Sequence, residues 1–569
     1  MILQVPTFVQ RALDRATGKN GKHNGAGGHE PPVLSGGYPI IGHTVEFVRS
    51  TIDLLARAQR EQGEVAAFDV AHKHMVALFG PEAHEAVFRA PDSELSPSEA
   101  YKIMTPVFGK DIVYDAPPEK MSEQVKMLLP ALKDRRMRTY GEQILAEVEQ
   151  SIAAWGDEGV VDFVDYCRVL TNFTSSHCLL GKEFRSGMTE EFARVYHDLE
   201  RGVTPLAYIN AQLPIPSFRK RDQARVRLVE MISEIIGERR RSGRTGEDFL
   251  QTLMDAKYQN GASLSEHEIT GMLLAAMFAG HHTSSVTTAW TMIELLQNRG
   301  YHDRVLDELD GVFQGDDHVT YQKLREITAT EAAVKESLRL HPPLFMLVRV
   351  VIEPWQYKSY RFEPGTWLVI SPTVAHRIPT LFRDPDRFDP DRFAPPREED
   401  KRDYAYIPFG GGRHKCLGNA FAFLQVKAIL AVLLRRYEFE MLDRNIGSNF
   451  HGLVVGPTEP CRMRYRRRKE RVVAKPVKAA VPVEATSTAP AAAKCPFSGE
   501  EGAKPKLRIE LDRDLCQGHA VCVSEVPDIF AIGDDHKVTL VRQPDESLYR
   551  AVMQAAKYCP THTIRLVTE

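Results

Sequence analysis

Eight cysteines and four tryptophans are all that 569 residues contain. The cysteines are mostly far apart, which excludes a disulfide framework and suits a reducing interior. There is no basic excess: 73 Lys and Arg against 76 Asp and Glu leave a net charge of −3, which argues against a nucleic-acid binder. No stretch reaches the roughly 18 unbroken apolar residues of a membrane span. The first residues, "MILQVPTFVQRALDRATGKNGKHNGAGGHEPP", lack a charged leader followed by a long apolar run, so no signal peptide is expected and a cytoplasmic location is. A weakly amphipathic helix over Ile2 to Ala16 offers loose peripheral contact with a membrane surface as the alternative to a flexible end. A dinucleotide fingerprint is also missing, since "NGAGGHE" fails G-x-G-x-x-G and follows no strand. What remains, 43% hydrophobic and 26% charged, is the balance of a globular protein.

The pattern divides the chain. Residues 1–30 read as a flexible extension, and 31–468 as a chiefly helical domain with short β-like pieces such as "EVAAFDV" and "HMVALFG". Residues 469–506 are rich in Ala, Pro, Val and Lys and read as a linker, with a span on the order of 35 Å if flexible. Residues 507–569 alternate strand-like and helical pieces, "LRIELDRDLC", "PDESLYRAVMQAAKYC" and "TIRLVTE". The expected fold is mainly α with small sheets, followed by a small α+β domain.

The stretch "YIPFGGGRHKCLGNAFAFLQVKAILAVLLRRYEFE" carries the most chemistry. Glycines 410, 411, 412 and 418 allow a tight loop that approaches a flat object closely. Cys416 is expected to open the apolar helix that follows, where free N–H groups and the helix dipole lower a thiol's pKa. One such thiolate is the protein ligand that a haem iron needs. A buried structural cysteine is the alternative, and it leaves Phe409, Gly412, His414 and Gly418 as coincidence.

This run resembles the haem-binding loop of the cytochrome P450 superfamily, with Phe409, Gly412, His414, Cys416 and Gly418 on its pattern. Upstream, "KESLRLHPP" spaces Glu336 and Arg339 three apart on one helical face, and "FDPDRF" supplies Arg392. The resemblance implies a buried charge cluster with a structural role on the cysteine side of a haem b. It also implies that "SEHEITGMLLAAMFAGHHTSSVTTAWTMIELLQNR", which starts with a capping-box signal at Ser265 and Glu268, is the helix facing dioxygen. Mid-helix polar groups ordinarily mean a hydroxyl bonded back to the preceding turn. Against a haem, Thr283 is instead placed to hydrogen-bond dioxygen and His282 to deliver protons.

The superfamily usually has an acidic residue before that threonine. "AGHHTSS" has histidine, and with "AYKIMTPVFGKDIVYD" it resembles the sterol 14α-demethylases, Tyr101, Phe108, Gly109 and Asp115 falling on the second pattern. This resemblance implies three successive O2-dependent oxygenations of a sterol 14α-methyl group, with loss of formate and a new 14,15 double bond. By position, Tyr101, Lys126, Arg349 and His414 would contact the haem propionates, with Lys120 an alternative to Lys126. Tyr101, Ile103, Phe108, Ala279, Leu344 and Met346 would line the sterol site, and Ile103 points to lanosterol-type substrates.

A haem-thiolate oxygenase needs electrons delivered singly. "DLCQGHAVCV" and "KYCPTHT" supply Cys516, Cys522 and Cys559, with His519 where four-ligand ferredoxins have a central cysteine. The tail resembles small bacterial ferredoxins holding a [3Fe–4S] cluster; a [4Fe–4S] cluster with His519 as fourth ligand is the alternative. From Leu507 onward ten acidic residues face seven basic ones, a sign that complements the basic run "KDRRMR" at 133–138. The implied whole is a bacterial sterol 14α-demethylase fused to its ferredoxin and served by a separate NAD(P)H-dependent ferredoxin reductase. The competing functions are a monooxygenase for fatty acids or foreign molecules, and a haem-and-cluster sensor without turnover.

Overall fold

The computed structural model describes residues 28–468 and 507–568, apart from 133, 182–184, 186–189, 244, 247, 314–318, 450–453, 514, 517, 519, 536 and 560–562. Most of the proposed extension, the linker at 469–506, and His519 therefore lie outside the described residues. Contacts group the chain into a large unit up to Tyr465 and a second unit from Arg466 onward that also takes in Arg436–Glu438.

In the large unit a five-stranded sheet collects β1 (Val65–Val70), β2 (Lys73–Leu78), β3 (Leu95–Ser96), β4 (Leu347–Val351) and β5 (Trp367–Ile370) in the order β1-β2-β5-β4-β3. β2 runs parallel to β5, Met75 opposite Trp367, and the other pairs are antiparallel. The strands are apolar nearly throughout, because both faces are covered: Val65, Ala67, Val76, Leu78, Leu368 and Ile370 join Phe88 and Ile407 in one core.

Helices dominate the rest, beside smaller sheets, and those that bear on the site are α1 (Pro118–Leu128), α2 (Phe163–Leu180), α3 (Glu190–Arg201), α4 (Pro216–Ser242), α5 (Glu266–Gln297), α6 (Thr328–Leu340) and α7 (Asn419–Arg436). α5 spans 32 residues, about 48 Å at 1.5 Å per residue. It starts on the expected capping box, Ser265 accepting from the Glu268 N–H while the Glu268 carboxylate takes the Ser265 N–H at 2.8 Å. α2 begins on Asp162, whose carboxylate accepts from two backbone N–H groups, and stops at Gly181, φ +93°. α2 lies along α5 and brings Thr171, Thr174, Ser175 and Ser176 to a fully buried face, small side chains that let two backbones approach.

The second unit pairs β6 (Leu507–Leu511) with β9 (Ile564–Thr568), and β7 (Phe530–Ile532) with β8 (Val538–Leu540), each antiparallel. Helices α8 (Val521–Glu525) and α9 (Tyr549–Tyr558) complete it. Its core packs Ile509, Val526, Ile529, Phe530, Val538 and Val552 around Cys522 and Cys559. Among the described residues, no helix in either unit is long and apolar enough to cross a membrane.

Candidate functional site

The loop before α7 is built as a cradle. Gly410 and Gly412 hold φ +70° and +61°, the left-handed region that glycine alone enters without strain. A Cβ on Gly412 would stand 2.1 Å from the Phe88 carbonyl oxygen, and one on Gly411 2.6 Å from the Phe88 ring. The loop is pressed against Phe88 and Tyr404, whose rings stack at 6.0 Å. His84 Nδ1 holds Tyr404 through a 2.9 Å hydrogen bond to its carbonyl.

Cys416 ends the loop with its N–H donated to the Phe409 carbonyl at 2.9 Å. Two expectations need correcting. The helix starts at Asn419, so Cys416 stands before it and not at its first turn. Desolvation by the surrounding protein pushes its thiol up, against the smaller lowering from the Gly418 N–H and the Lys415 charge. The side chain nevertheless stays open to solvent, so its sulfur is accessible to a large planar group.

Helix α5 shows an unusual stripe. His281, Ser284, Ser285 and Thr288 are buried on one side, while Ala279 is exposed in mid-helix and Ala275, Ala276, His282, Thr283 and Val286 are half-buried. Positions 275, 279, 282, 283 and 286 share a face. That face borders open space although the helix runs through the centre of the unit. Gly280 lies against the α7 side, a Cβ there meeting Phe421 at 3.6 Å.

The segment 101–115 bounds the same space. Backbone contact with α5 is possible only because Gly271 lacks a Cβ, which would stand 2.4 Å from the Phe108 carbonyl oxygen. Arg225 and His267 hold the Phe108 and Lys110 carbonyls at 3.2 and 3.1 Å, and Asp115 accepts from Thr105 at 2.9 Å and from the Asp111 N–H at 3.0 Å. Rings continue from this segment to the helix: Tyr101 to Tyr114 at 5.4 Å, Tyr114 to Phe108 at 6.4 Å, Phe108 to Phe278 at 5.8 Å, Phe278 to His282 at 5.2 Å. Tyr114, 41% exposed, was not singled out from the sequence. The Cys416 thiol, Tyr101 and Arg349 are near enough to act on its hydroxyl. Those four side chains therefore share one neighbourhood.

Arg349 is buried, donates to the Val348 carbonyl at 2.8 Å, and makes no ion pair among the described residues. Burial lowers its pKa, with Tyr101 and Asp92 opposing. A buried guanidinium without a carboxylate is suited to a carboxylate-bearing ligand. His414 is differently placed: its Nε2 meets the Asp92 carboxylate at 2.7 Å, so Asp92 already occupies it. Lys120 is engaged with Glu268 at 2.9 Å, whereas Lys126, on another face of α1, is exposed. Ile103, Phe108 and Met346 are buried, and Leu344 is half-buried beside a bridge to Val454. The accessible thiol, the glycine cradle and the unpaired Arg349 together fit a haem with its propionates.

Thr283 donates its hydroxyl to the Ala279 carbonyl at 2.6 Å, the back-bond usual inside helices. His282 Nε2 lies 2.7 Å from the Glu200 carboxylate of α3, and His281 Nε2 lies 3.5 Å from the same oxygen. Glu200 is buried, yet both histidines lower its pKa against the desolvation that would raise it. Burial drives His281 down to about 3. Nothing in the local sequence around Glu200, "YHDLERGV", distinguishes it from a surface acid.

Glu336 is fully buried and accepts from Arg339 at 2.9 Å through two nitrogens, from Arg392 Nε at 2.9 Å, and from the Asp389 N–H at 2.8 Å. Arg392 also reaches Glu399 at 2.6 Å.

In the second unit Cys522 and Cys559 are buried and Cys516 is half-buried. Burial, and the neighbouring thiols of Cys559 and Cys516, push Cys522 up to about 12. The Val538 N–H points at Cys516 Sγ, 3.2 Å away. Three converging thiols, with an amide donor to one sulfur, fit an iron–sulfur cluster.

Comparison with known proteins agrees with both sites. The family profile "Cytochrome P450" matches residues 31–463, and "4Fe-4S single cluster domain" matches residues 509–566. A sterol 14alpha-demethylase of Mycolicibacterium vanbaalenii is 42% identical over 446 residues, covering 77% of this chain and 98% of its own. An obtusifoliol 14-alpha demethylase of Triticum aestivum is 38% identical over 77% of this chain and 99% of its own, and a lanosterol 14-alpha demethylase of Rattus norvegicus 35% identical over 78% and 89%. Among solved structures, the retinoic acid bound cyanobacterial CYP120A1 superposes with a TM-score of 0.71 at 23% identity, covering 78% of this chain and 100% of that one. The chain belongs to the cytochrome P450 family, as a haem monooxygenase followed by an iron–sulfur ferredoxin domain.

Proposed function

We propose that this protein is a sterol 14α-demethylase that draws its electrons from its own C-terminal domain. The observation that carries the reading is the pairing of His282 with the buried Glu200 on the same helix face as Thr283 and the exposed Ala279. It places a proton donor beside an open apolar space. The relatives named above are sterol demethylases by name, and at 35–42% identity they support a sterol as the substrate class.

Cys416 would ligate the haem iron, with Arg349, Tyr101 and Lys126 toward the propionates and His414 braced by Asp92 beside them. When bound, the haem supplies dioxygen activation. Tyr101, Ile103, Phe108, Ala279, Leu344 and Met346 would hold the sterol, Ile103 leaving room for a 4,4-dimethyl ring. Protons would pass from Glu200 Oε1 to His282 Nε2 and on to the Thr283 side of the helix, Thr283 orienting the acceptor through its hydroxyl. The 14α-methyl would pass through alcohol and aldehyde and leave as formate, each of the three turns taking one dioxygen and two electrons. Glu336, Arg339 and Arg392 would hold the cysteine side rigid. Cys516, Cys522 and Cys559 would bind the cluster, [3Fe–4S] in preference to a [4Fe–4S] form using His519. With no dinucleotide fingerprint in the chain, a separate ferredoxin reductase would take electrons from NAD(P)H.

Incubating the full chain with lanosterol, NADPH and a ferredoxin reductase tests this. A product lighter by one methyl carbon and bearing a 14,15 double bond is expected, with formate released. No spectral response to lanosterol, and a strong one to a fatty acid, would replace the reading with that of another lipid hydroxylase.

A further inference from the structure

Three ligand-type atoms converge between α3 and α5: Glu200 Oε1, His281 Nε2 and His282 Nε2, all within 4.8 Å of one another. His281 Nδ1 lies 3.0 Å from the Thr171 hydroxyl oxygen, which itself reaches the Cys167 carbonyl at 2.8 Å. When the hydroxyl donates to that carbonyl, its oxygen accepts from Nδ1–H, and Nε2 turns a lone pair toward Glu200 at 3.5 Å.

The carboxylate is no better served from the other side. His282 Nε2 is close, at 2.7 Å, but Glu200 Oε1 is buried without an aligned hydrogen-bond donor. The Glu200 and His281 side chains are 6% and 2% exposed, and His282, at 22%, leaves an approach from the open face of α5. A deeply buried oxygen flanked by two imidazole nitrogens, at 2.7 and 3.5 Å, is a setting that a shared cation suits.

We propose that Glu200, His281 and His282 form a divalent transition-metal site of Zn²⁺ type. Two imidazoles and one carboxylate are a ligand set such ions prefer, with a remaining position for water. Ligands about 2.0–2.1 Å from a tetrahedral ion stand roughly 3.3 Å apart. The 3.5 Å edge between His281 and Glu200 is already near that, and the 2.7 Å edge between His282 and Glu200 opens by a small side-chain rotation. The Thr171 bond to His281 Nδ1 is the outer contact that orients a metal-bound imidazole. The consequence of this site for turnover rests on the proton route proposed above, because an ion there occupies both His282 Nε2 and Glu200 Oε1. Micromolar zinc would then stop oxygenation without hindering substrate entry.

The test uses the full-length protein loaded with haem and cluster. Zn²⁺ is titrated in competition with a chromophoric chelator, and Co²⁺ is followed by its absorption. One equivalent is expected to bind, with cobalt ligand-field bands and no thiolate charge-transfer band. His281→Phe and Glu200→Gln are each expected to weaken binding at least tenfold, the carbonyl-complex Soret band of each variant verifying the fold. Equal binding in wild type and both variants, thiolate-type bands, or no binding of either ion overturns the site. Turnover falling more than tenfold with zinc, while the substrate-induced spectral shift persists, is the expected kinetic result. If the sterol reading alone is wrong, the equilibrium titrations are unaffected, so the two failures are distinguishable.

Discussion

Replacing Glu336 by glutamine removes one charge from the best-buried ionic group in the large unit. The carboxylate is 0% exposed and neutralises two guanidiniums that are themselves 0% exposed. Glutamine keeps one acceptor oxygen for the Asp389 N–H, now 2.8 Å away, but turns an NH2 group toward guanidinium N–H donors. Arg392 retains Glu399 at 2.6 Å. Arg339 is left with backbone carbonyls alone, those of His376, Pro385 and Arg387 at 2.9, 2.6 and 3.2 Å. Stripping a buried pair of one partner costs about 3–5 kcal/mol. That is a large share of the roughly 5–15 kcal/mol that holds a domain folded. With a specific unfolding entropy of about 2 cal/mol/K per residue, a unit of this size loses roughly 1 °C per kcal/mol, hence about 3–5 °C in Tm. The control is Asp391→Asn, which breaks the Arg304 pair whose side chains are 53% and 51% exposed; pairs of that kind contribute under ~1 kcal/mol. Thermal melts and the Soret band of the reduced carbonyl complex are read on both variants. Glu336→Gln is expected to lose bound haem as it loses stability. If it melts within about 1 °C of Asp391→Asn and keeps a full Soret band, the cluster is not what secures the cysteine side.

Gly412→Ala places a methyl 2.1 Å from the Phe88 carbonyl oxygen at a residue with φ +61°, so the loop must shift and haem content should drop severalfold, whereas Gly300→Ala, with open space around it, should leave haem content unchanged. Glu200→Gln is expected to lower demethylation by about 10²-fold with substrate spectral binding within twofold; a comparable loss of binding would make Glu200 merely structural. His84 is held neutral by burial, down to about 4 from its ordinary 6.5, so between those pH values the unfolded chain binds a proton that the folded one refuses. Stability should therefore fall as pH drops through that window, by about 3 kcal/mol in total, and His84→Gln should flatten the slope of denaturation midpoint against pH. Cys522→Ala should abolish iron–sulfur absorption and leave the haem spectrum intact, and a retained cluster would remove Cys522 from the ligand set.

The sequence by itself carried whatever depends on local pattern. The capping box at Ser265 and Glu268, the strand pieces at 65–70 and 73–78, and the glycines around 411 were all legible, because caps, alternation and left-handed turns are properties of neighbouring residues. Motif order did the same for Glu336, Arg339 and Cys416. Tertiary packing decided the rest. Glu200 gained its meaning only when α3 was laid beside α5, 82 residues on in the chain at His282; Tyr114 only when the 101–115 segment folded over Gly271. Asp92 took His414 across more than three hundred residues, and burial reversed the direction inferred for the Cys416 thiol from the helix dipole. Desolvation and long-range pairing depend on what surrounds a group in space, which spacing along the chain does not encode.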